Sequence, residues 1–259
     1  MTGVRATEIM VAAASRELCD GEVVVVGIGL PLMACFLARR THAPRLTSLS
    51  EIGVINMDPR DTPVGVADPR NFYRATCRSG FLDVMGLNLH HGNVDVGVLG
   101  ALEADRFGNI NTTLFRDEAG NIRYWNGSAG GNDTASLAKR VILIMRHDKR
   151  KLPKTLAHLT SPGFAEGRSR PQLGLRGGGP SRLITDKAVI AFDPQTHRAT
   201  LVSVHPEVEL GDIVASTGFE LKIPSGLNVT ALPTSEELRL LREEIDPSDL
   251  YLGNKEARS

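Results

Sequence analysis

Residues 23–31 read Val23-Val24-Val25-Val26-Gly27-Ile28-Gly29-Leu30-Pro31. Four β-branched residues in succession predict a strand buried on both faces, and the glycines after it permit a tight turn into a helix. Working outward, an Ala-rich stretch from Ala6 to Leu18 precedes the run, a helical stretch from Leu32 to Arg40 follows it, and Leu46 to Leu49 is apolar again. This alternation predicts an α/β fold with an open, mainly parallel sheet and flanking helices. Val94 to Leu99 and Arg140 to Met145 extend the pattern, each a short apolar run that ends in Gly100 or in charge.

From Leu183 the texture changes. Leu183 to Asp193 and Ala199 to Val204 are two β-rich runs separated by a polar connection, which predicts a small antiparallel C-terminal section. Thr234, three residues before Glu237, is a capping-box signature, and Leu238, Leu241 and Ile245 follow at helical spacing until Asp246-Pro247 stops the helix. Gly163 to Pro180, rich in Gly and Arg, reads as a long surface loop suited to a partner. No linker or repeat divides the chain, so a single domain over residues 1–259 is expected.

Composition removes several function classes. Thirty Lys and Arg balance thirty Asp and Glu, so no net field holds a nucleic acid or an anionic bilayer. No apolar run approaches the roughly 20 residues of a membrane span, and no signal-like segment opens the chain, so a cytoplasmic protein is expected. The three cysteines, Cys19, Cys35 and Cys77, lack paired or metal-ligand spacing and should be reduced thiols. His90-His91 and His147 lack the partners of a metal site or a nucleophile dyad, so no metal is expected.

Four stretches could carry chemistry. The Gly27 to Pro31 turn suggests a dinucleotide fingerprint, because Glu51 lies 22 residues beyond Gly29, where a ribose-binding acid would sit. Leu32 occupies the third glycine position and Pro31 sits within the turn, which argues against nicotinamide binding. Glu51, in Leu49-Ser50-Glu51-Ile52-Gly53, is a carboxylate at the end of an apolar strand, entering a turn. Such ends are where α/β proteins place their chemistry, although a solvated loop glutamate has the same spacing. Gly100-Ala101, at the end of another strand, could offer backbone N–H groups to an oxyanion, or could be a plain tight turn closed by Asn109 and Asn111. Asn126 to Asp133 is glycine-rich and precedes a helical stretch, compatible with a phosphate or pantetheine cradle or with a mobile loop. The cationic run Arg146 to Lys151 suits a cofactor phosphate or a solvated face equally.

Taken in order, these elements resemble the β subunit of family I CoA-transferases, and the glutaconate CoA-transferase branch in particular. The likeness runs nearly the whole length, through Gly27-Ile28-Gly29-Leu30-Pro31-Leu32, His42-Ala43-Pro44, Glu51-Ile52-Gly53, Gly100-Ala101, Phe107 to Asn111, Gly127 to Gly131, Thr160 to Gly163, Val204-His205-Pro206, Thr217-Gly218-Phe219 and Arg242 to Pro247. The resemblance implies a CoA-transferase/NagB-RpiA-like fold, a separately encoded α subunit, and an active site completed by that subunit. It gives Glu51 the role of nucleophile, and gives Gly27, Gly29, Pro31, Gly100 and Ala101 oxyanion and substrate contacts. Ser128, Gly130 and Gly131 correspond to a loop near the CoA or acyl group. No permanently bound cofactor is implied; a coenzyme A thioester is the substrate, of a dicarboxylic or related acid.

The chemistry so implied is ping-pong acyl-CoA:carboxylate CoA transfer through a glutamyl-CoA thioester, with no metal required. Relatives on the same scaffold lack the glutamate and act as CoA-ester hydrolases, decarboxylases or ring-opening hydrolases, and the presence of Glu51 argues against those. Ile52 stands where a small residue is usual, which points to a different acyl pocket. A noncatalytic subunit that only shapes a pocket is the remaining alternative.

Overall fold

Helix α1 (Ala6–Arg16) is buried from Thr7 to Ser15 and packs against α2 (Leu30–Arg40), whose residues Leu32 to Ala38 are buried. The computed structural model describes residues 3–117 and 119–253. The chain divides into two compact units, Met1–Gly100 with Ala231–Ser259, and Ala101–Thr230. No helix among the described residues is long and apolar enough to cross a membrane.

In the first unit, β1 (Val23–Val26) lies between two parallel neighbours, β2 (Thr47–Leu49) and β5 (Val96–Gly100). Beyond β2 the sheet turns antiparallel through β3 (Val54–Ile55) and β4 (Cys77–Arg78). Two of the three parallel strands, β1 and β5, fall in the Val-rich runs anticipated from sequence, and β2 in the stretch Leu46 to Leu49; their residues are mostly buried, as a sheet covered on both faces requires. Glu8 on α1, fully buried, is held by Arg242 Nε at 2.7 Å and Arg5 Nη2 at 2.9 Å. Burial alone would raise the Glu8 carboxyl, but the two guanidinium groups and the Arg5 N–H hold it below its ordinary range.

The second unit opens with two short antiparallel pairs, β6 (Glu103–Ala104) with β7 (Ile110–Asn111) and β8 (Leu114–Arg116) with β9 (Ile122–Tyr124). Helix α3 (Gly131–Leu137) leads into β10 (Arg140–Ile144), which pairs in parallel with β11 (Pro180–Ile184). Strands β12 (Ala188–Phe192) and β13 (Ala199–Val204) then run antiparallel in turn. After α4 (Leu210–Ala215), β14 (Asn228–Val229) pairs in parallel with β13. The run Leu183 to Asp193, read from sequence as one strand, is two. Thr185 breaks it, donating its N–H to the Ala188 carbonyl at 2.9 Å while its hydroxyl accepts the Ala188 N–H at 3.0 Å.

The stretch Gly163 to Pro180 is packed rather than a free surface loop. Arg170 is 4% exposed. Its guanidinium donates to the carbonyls of Gly177 (2.9 Å), Pro162 (2.8 Å), Gly163 (2.7 Å) and Ala135 (2.6 Å). At Gly177 and Gly178 a Cβ would stand 2.5 and 2.1 Å from the carbonyl oxygens of Ala138 and Lys139. These glycines serve close backbone approach, not flexibility.

The chain returns to the first unit with α5 (Ser235–Arg239), started by the expected capping box. Glu237 N–H donates to the Thr234 hydroxyl at 3.1 Å, and Thr234 N–H to the Glu237 carboxylate at 2.7 Å. A π-helical turn, Leu240–Ile245, continues it as far as Asp246.

Candidate active site

The register of the parallel strands assembles the first part of the site. Val25 pairs with Leu49 and Val26 with Val98, so the chain leaves β5, β1 and β2 at one edge of the sheet. Gly27 follows directly on β1, Gly100 ends β5, and Glu51 lies two residues beyond β2. Neighbouring strands lie about 4.8 Å apart, so the Gly27 element is next to each of the other two, which stand about 10 Å from one another on either side of β1. Gly27 prolongs the ladder by donating to the Val98 carbonyl at 2.9 Å. A Cβ on Gly27 would stand 3.3 Å from that oxygen, so a side chain there would crowd the β5 backbone. Gly29 has φ +87° and begins α2, and Pro31 lies in the first helical turn, where its missing N–H breaks no helical bond.

Glu51 sits at the tip of a hairpin. Gly53 N–H donates to the Ser50 carbonyl at 2.9 Å and Ser50 N–H to the Val54 carbonyl at 2.9 Å, making Glu51 and Ile52 the central residues of a tight turn between β2 and β3. Asn56 locks the hairpin from below: its side-chain oxygen accepts the Ser48 N–H at 2.9 Å, and its own N–H donates to the Ser48 carbonyl at 2.8 Å. Gly53 has φ +96°, and its carbonyl accepts the Ser79 N–H at 2.8 Å. The Glu51 side chain is half-buried.

Ala101, Ser128, Gly130 and Gly131 belong to the second unit. Ser128 carbonyl accepts the Gly131 N–H at 2.9 Å, and Gly130 carbonyl accepts both the N–H (3.0 Å) and the hydroxyl (2.7 Å) of Thr134. Gly127 exchanges hydrogen bonds with Thr112, donating its N–H to the Thr112 carbonyl at 3.0 Å and accepting the Thr112 hydroxyl at 2.7 Å. Asn132 Nδ2 donates to the Thr160 carbonyl at 2.6 Å. Of the two sequence readings of this stretch, the mobile loop gives way to a pinned one. Thr160, one of the motif residues, is the hub: its hydroxyl also accepts the Thr112 N–H at 2.9 Å and lies 2.7 Å from the Thr113 hydroxyl.

The cationic run divides. His147 is buried, its Nδ1 2.9 Å from the Thr185 hydroxyl and its Nε2 2.9 Å from the Thr217 hydroxyl, while Lys149 and Arg150 are exposed. Burial first, and the neighbouring Lys187 second, push the His147 imidazole down to about 4. No three His, Cys, Asp or Glu side chains cluster as metal ligands among the described residues. Tyr251 escaped sequence reasoning: its ring carbons stand 3.7 Å from where a Cβ on Gly29 would lie, although the two residues are far apart in the chain. The only local signal was Asp246-Pro247, legible as a helix stop and nothing more.

A model of the Coenzyme A transferase family matches residues 7–216. The β subunit of 3-oxoadipate CoA-transferase from Pseudomonas knackmussii is 35% identical over 243 residues, 93% of this chain and 94% of its own. The β subunit of glutaconate CoA-transferase from Acidaminococcus fermentans is 31% identical over 251 residues, 95% and 94% of the two chains. The crystal structure of glutaconate CoA-transferase from that organism superposes with a TM-score of 0.89 at 30% identity, covering 98% of this chain and 99% of the other. The cholesterol ring-cleaving hydrolase IpdB subunit of Rhodococcus jostii is 27% identical over 249 residues, 95% and 94% of the two chains.

Proposed function

This chain belongs to the Coenzyme A transferase family, and from that premise we propose that it is the β subunit of an acyl-CoA:carboxylate CoA-transferase whose nucleophile is Glu51. The observation that supports the reading is the placement of Glu51 at the tip of a tight turn that follows β2, at the same end of the parallel strands as Gly27 after β1 and Gly100 at the end of β5. A carboxylate so mounted is presented by backbone geometry rather than by a flexible loop.

The reaction balances without an external base. A Glu51 carboxylate oxygen attacks the thioester carbonyl, the C–S bond breaks, and an acyl-glutamyl anhydride forms with release of the CoA thiolate. The thiolate then attacks the glutamyl carbonyl, expels the first carboxylate and leaves a glutamyl-CoA thioester. An acceptor carboxylate reverses both steps and departs as the new CoA ester. Each step passes through a tetrahedral oxyanion, for which the backbone N–H groups at Gly100 and Ala101 and the Gly27 to Pro31 turn are the proposed donors. Loss of one such donor costs about 10² to 10³ in rate. Ser128, Gly130 and Gly131 are proposed to contact the CoA or acyl group. Both CoA-transferase relatives are named as one subunit of a larger enzyme, which supports a separate α subunit that completes the site. The same two relatives support a dicarboxylic or related acyl group.

The test is covalent trapping. The complex reconstituted with its α subunit is incubated with acyl-CoA, quenched with borohydride or hydroxylamine, and mapped by mass spectrometry. Modification of Glu51 is expected; modification elsewhere, or none, overturns the assignment. The ring-cleaving relative motivates a second reading, a hydrolase on the same scaffold. Free CoA released at full rate with no carboxylate acceptor present would select it over a transferase.

A further inference from the structure

Residues 246–252 of the first unit bring Tyr251 to Gly29 of the Gly27–Pro31 turn. The hub of this stretch is Asp246, 2% exposed. One carboxylate oxygen accepts the Leu250 N–H at 3.0 Å; the other accepts the N–H groups of Tyr251 and Leu252 at 2.8 and 2.9 Å. The Thr62 hydroxyl lies 3.0 Å from the first oxygen and 3.0 Å from the Ile245 carbonyl. A buried carboxylate with this many donors holds its loop in one geometry. The next residue, Leu252, is fully buried and its carbonyl accepts the Thr7 hydroxyl of α1 at 2.6 Å.

Tyr251 is thereby fixed at both ends. Its backbone is held by Asp246, and its phenol donates to the Pro63 carbonyl at 2.8 Å. Between these anchors the ring lies over Gly29: its Cδ1 and Cε1 are 3.7 Å from where a Cβ at that position would stand. A segment that carries two glycines in three residues has little stiffness of its own and takes its shape from what presses on it.

We propose that Tyr251 is a positioning residue for the transfer reaction, its ring set by the Asp246-held backbone, with the bond to Pro63 a lesser support, so that it fixes the Gly27–Pro31 turn beside the Glu51 hairpin. The proposal rests on the reading of the Glu51 edge of the sheet as the site of group transfer. The ring touches neither Glu51 nor a reacting atom. It acts through the turn, and a misplacement of about 1 Å there is enough to cost about 10²-fold in rate.

The experiment compares Tyr251→Leu and Tyr251→Phe in the complex with the α subunit. Leucine keeps apolar volume without a flat ring; phenylalanine keeps the ring and loses only the bond to Pro63. Thermal midpoint, kcat and KM for acyl-CoA per assembled complex, and the yield of trapped Glu51 are measured for each. Tyr251→Leu is expected to lower kcat about tenfold or more with KM changed by less than about threefold, and Tyr251→Phe to recover most of the lost kcat. An unchanged kcat per assembled leucine complex, whatever its thermal midpoint, overturns the proposal, as does a phenylalanine variant as slow as the leucine one. Should the unmodified complex turn over without label on Glu51, the nucleophile assignment falls separately, and the ratio of the two variants in kcat still decides the role of the ring.

Discussion

Replacing Gly53 by alanine perturbs the turn that presents Glu51 without touching Glu51 itself. At φ +96° an L-residue is strained by about 1–3 kcal/mol. The added methyl would also stand 2.2 Å from the Ser79 carbonyl oxygen, 2.6 Å from its carbon and 2.9 Å from the Gly80 carbonyl carbon. All three are backbone atoms, so no side chain can swing aside; the strand at Ser79 must retreat and loosen its 2.8 Å bond to the Gly53 carbonyl, worth about 1 kcal/mol. Gly53→Ala should therefore cost about 2–4 kcal/mol, read as a lowered urea midpoint at unchanged slope. Gly65→Ala is the control, because nothing lies within 4 Å of its Cβ position and its φ is unremarkable, so about 0.5 kcal/mol or less is expected. In the folded fraction of the complex, labelling of Glu51 should fall about tenfold or more as the turn shifts. A variant as stable as the control would refute the steric argument. A variant destabilised as expected yet labelled at full rate would refute the claim that this turn sets the carboxylate.

Acid should weaken the second unit through His147. Its folded value of about 4 lies below the ordinary 6.5, so the unfolded chain takes the proton first; stability is undiminished above pH 6.5 and is lost as pH falls toward 4, by at most about 3 kcal/mol. Urea titrations from pH 7.5 to 4.5 should show a steeper fall for the unmodified protein than for His147→Gln, and equal slopes would contradict this. Thiol labelling of the native chain should reach the exposed Cys19 and Cys77 and spare Cys35, which burial pushes up to about 12; rapid alkylation of Cys35 before unfolding would contradict its placement. Arg170→Leu leaves four buried carbonyls without their donor and should cost about 3 kcal/mol or more, with Arg170→Lys recovering part; a near-neutral leucine variant would show that water takes over those contacts.

The parallel core was legible because it is local. A run such as Val23 to Val26 states its own burial, and the capping box at Thr234 and Glu237 states where a helix begins. The end of the sheet carrying Gly27, Glu51 and Gly100 was legible in the same way, since Gly27 and Glu51 follow their strands by one and two positions and Gly100 closes its own. What failed to show were features made by distant partners. Strands β3 and β4 are two residues each and exist only through pairing, which no periodicity announces. The glycines and arginines of residues 163–180 looked like a surface loop because composition does not reveal that a guanidinium can be satisfied by four carbonyls. Thr185 looked like one more β-branched residue within a strand, and its backbone and side-chain bonds to Ala188 make it a corner. Tyr251 had no local pattern at all, since its partners Gly29, Pro63 and Asp246 come together only in the folded chain.

The hairpin that carries Glu51 separates architecture from chemistry. Its shape is kept by main-chain bonds at Ser48, Ser50, Gly53 and Asn56, and by the Asn56 amide; none of these uses the side chain at position 51. The tip is in effect a socket: a different head group could be set in it without redrawing the scaffold beneath. That makes intelligible how one frame can carry different reactivity by exchange at a single half-buried vertex while the main-chain bonds beneath it stay in place.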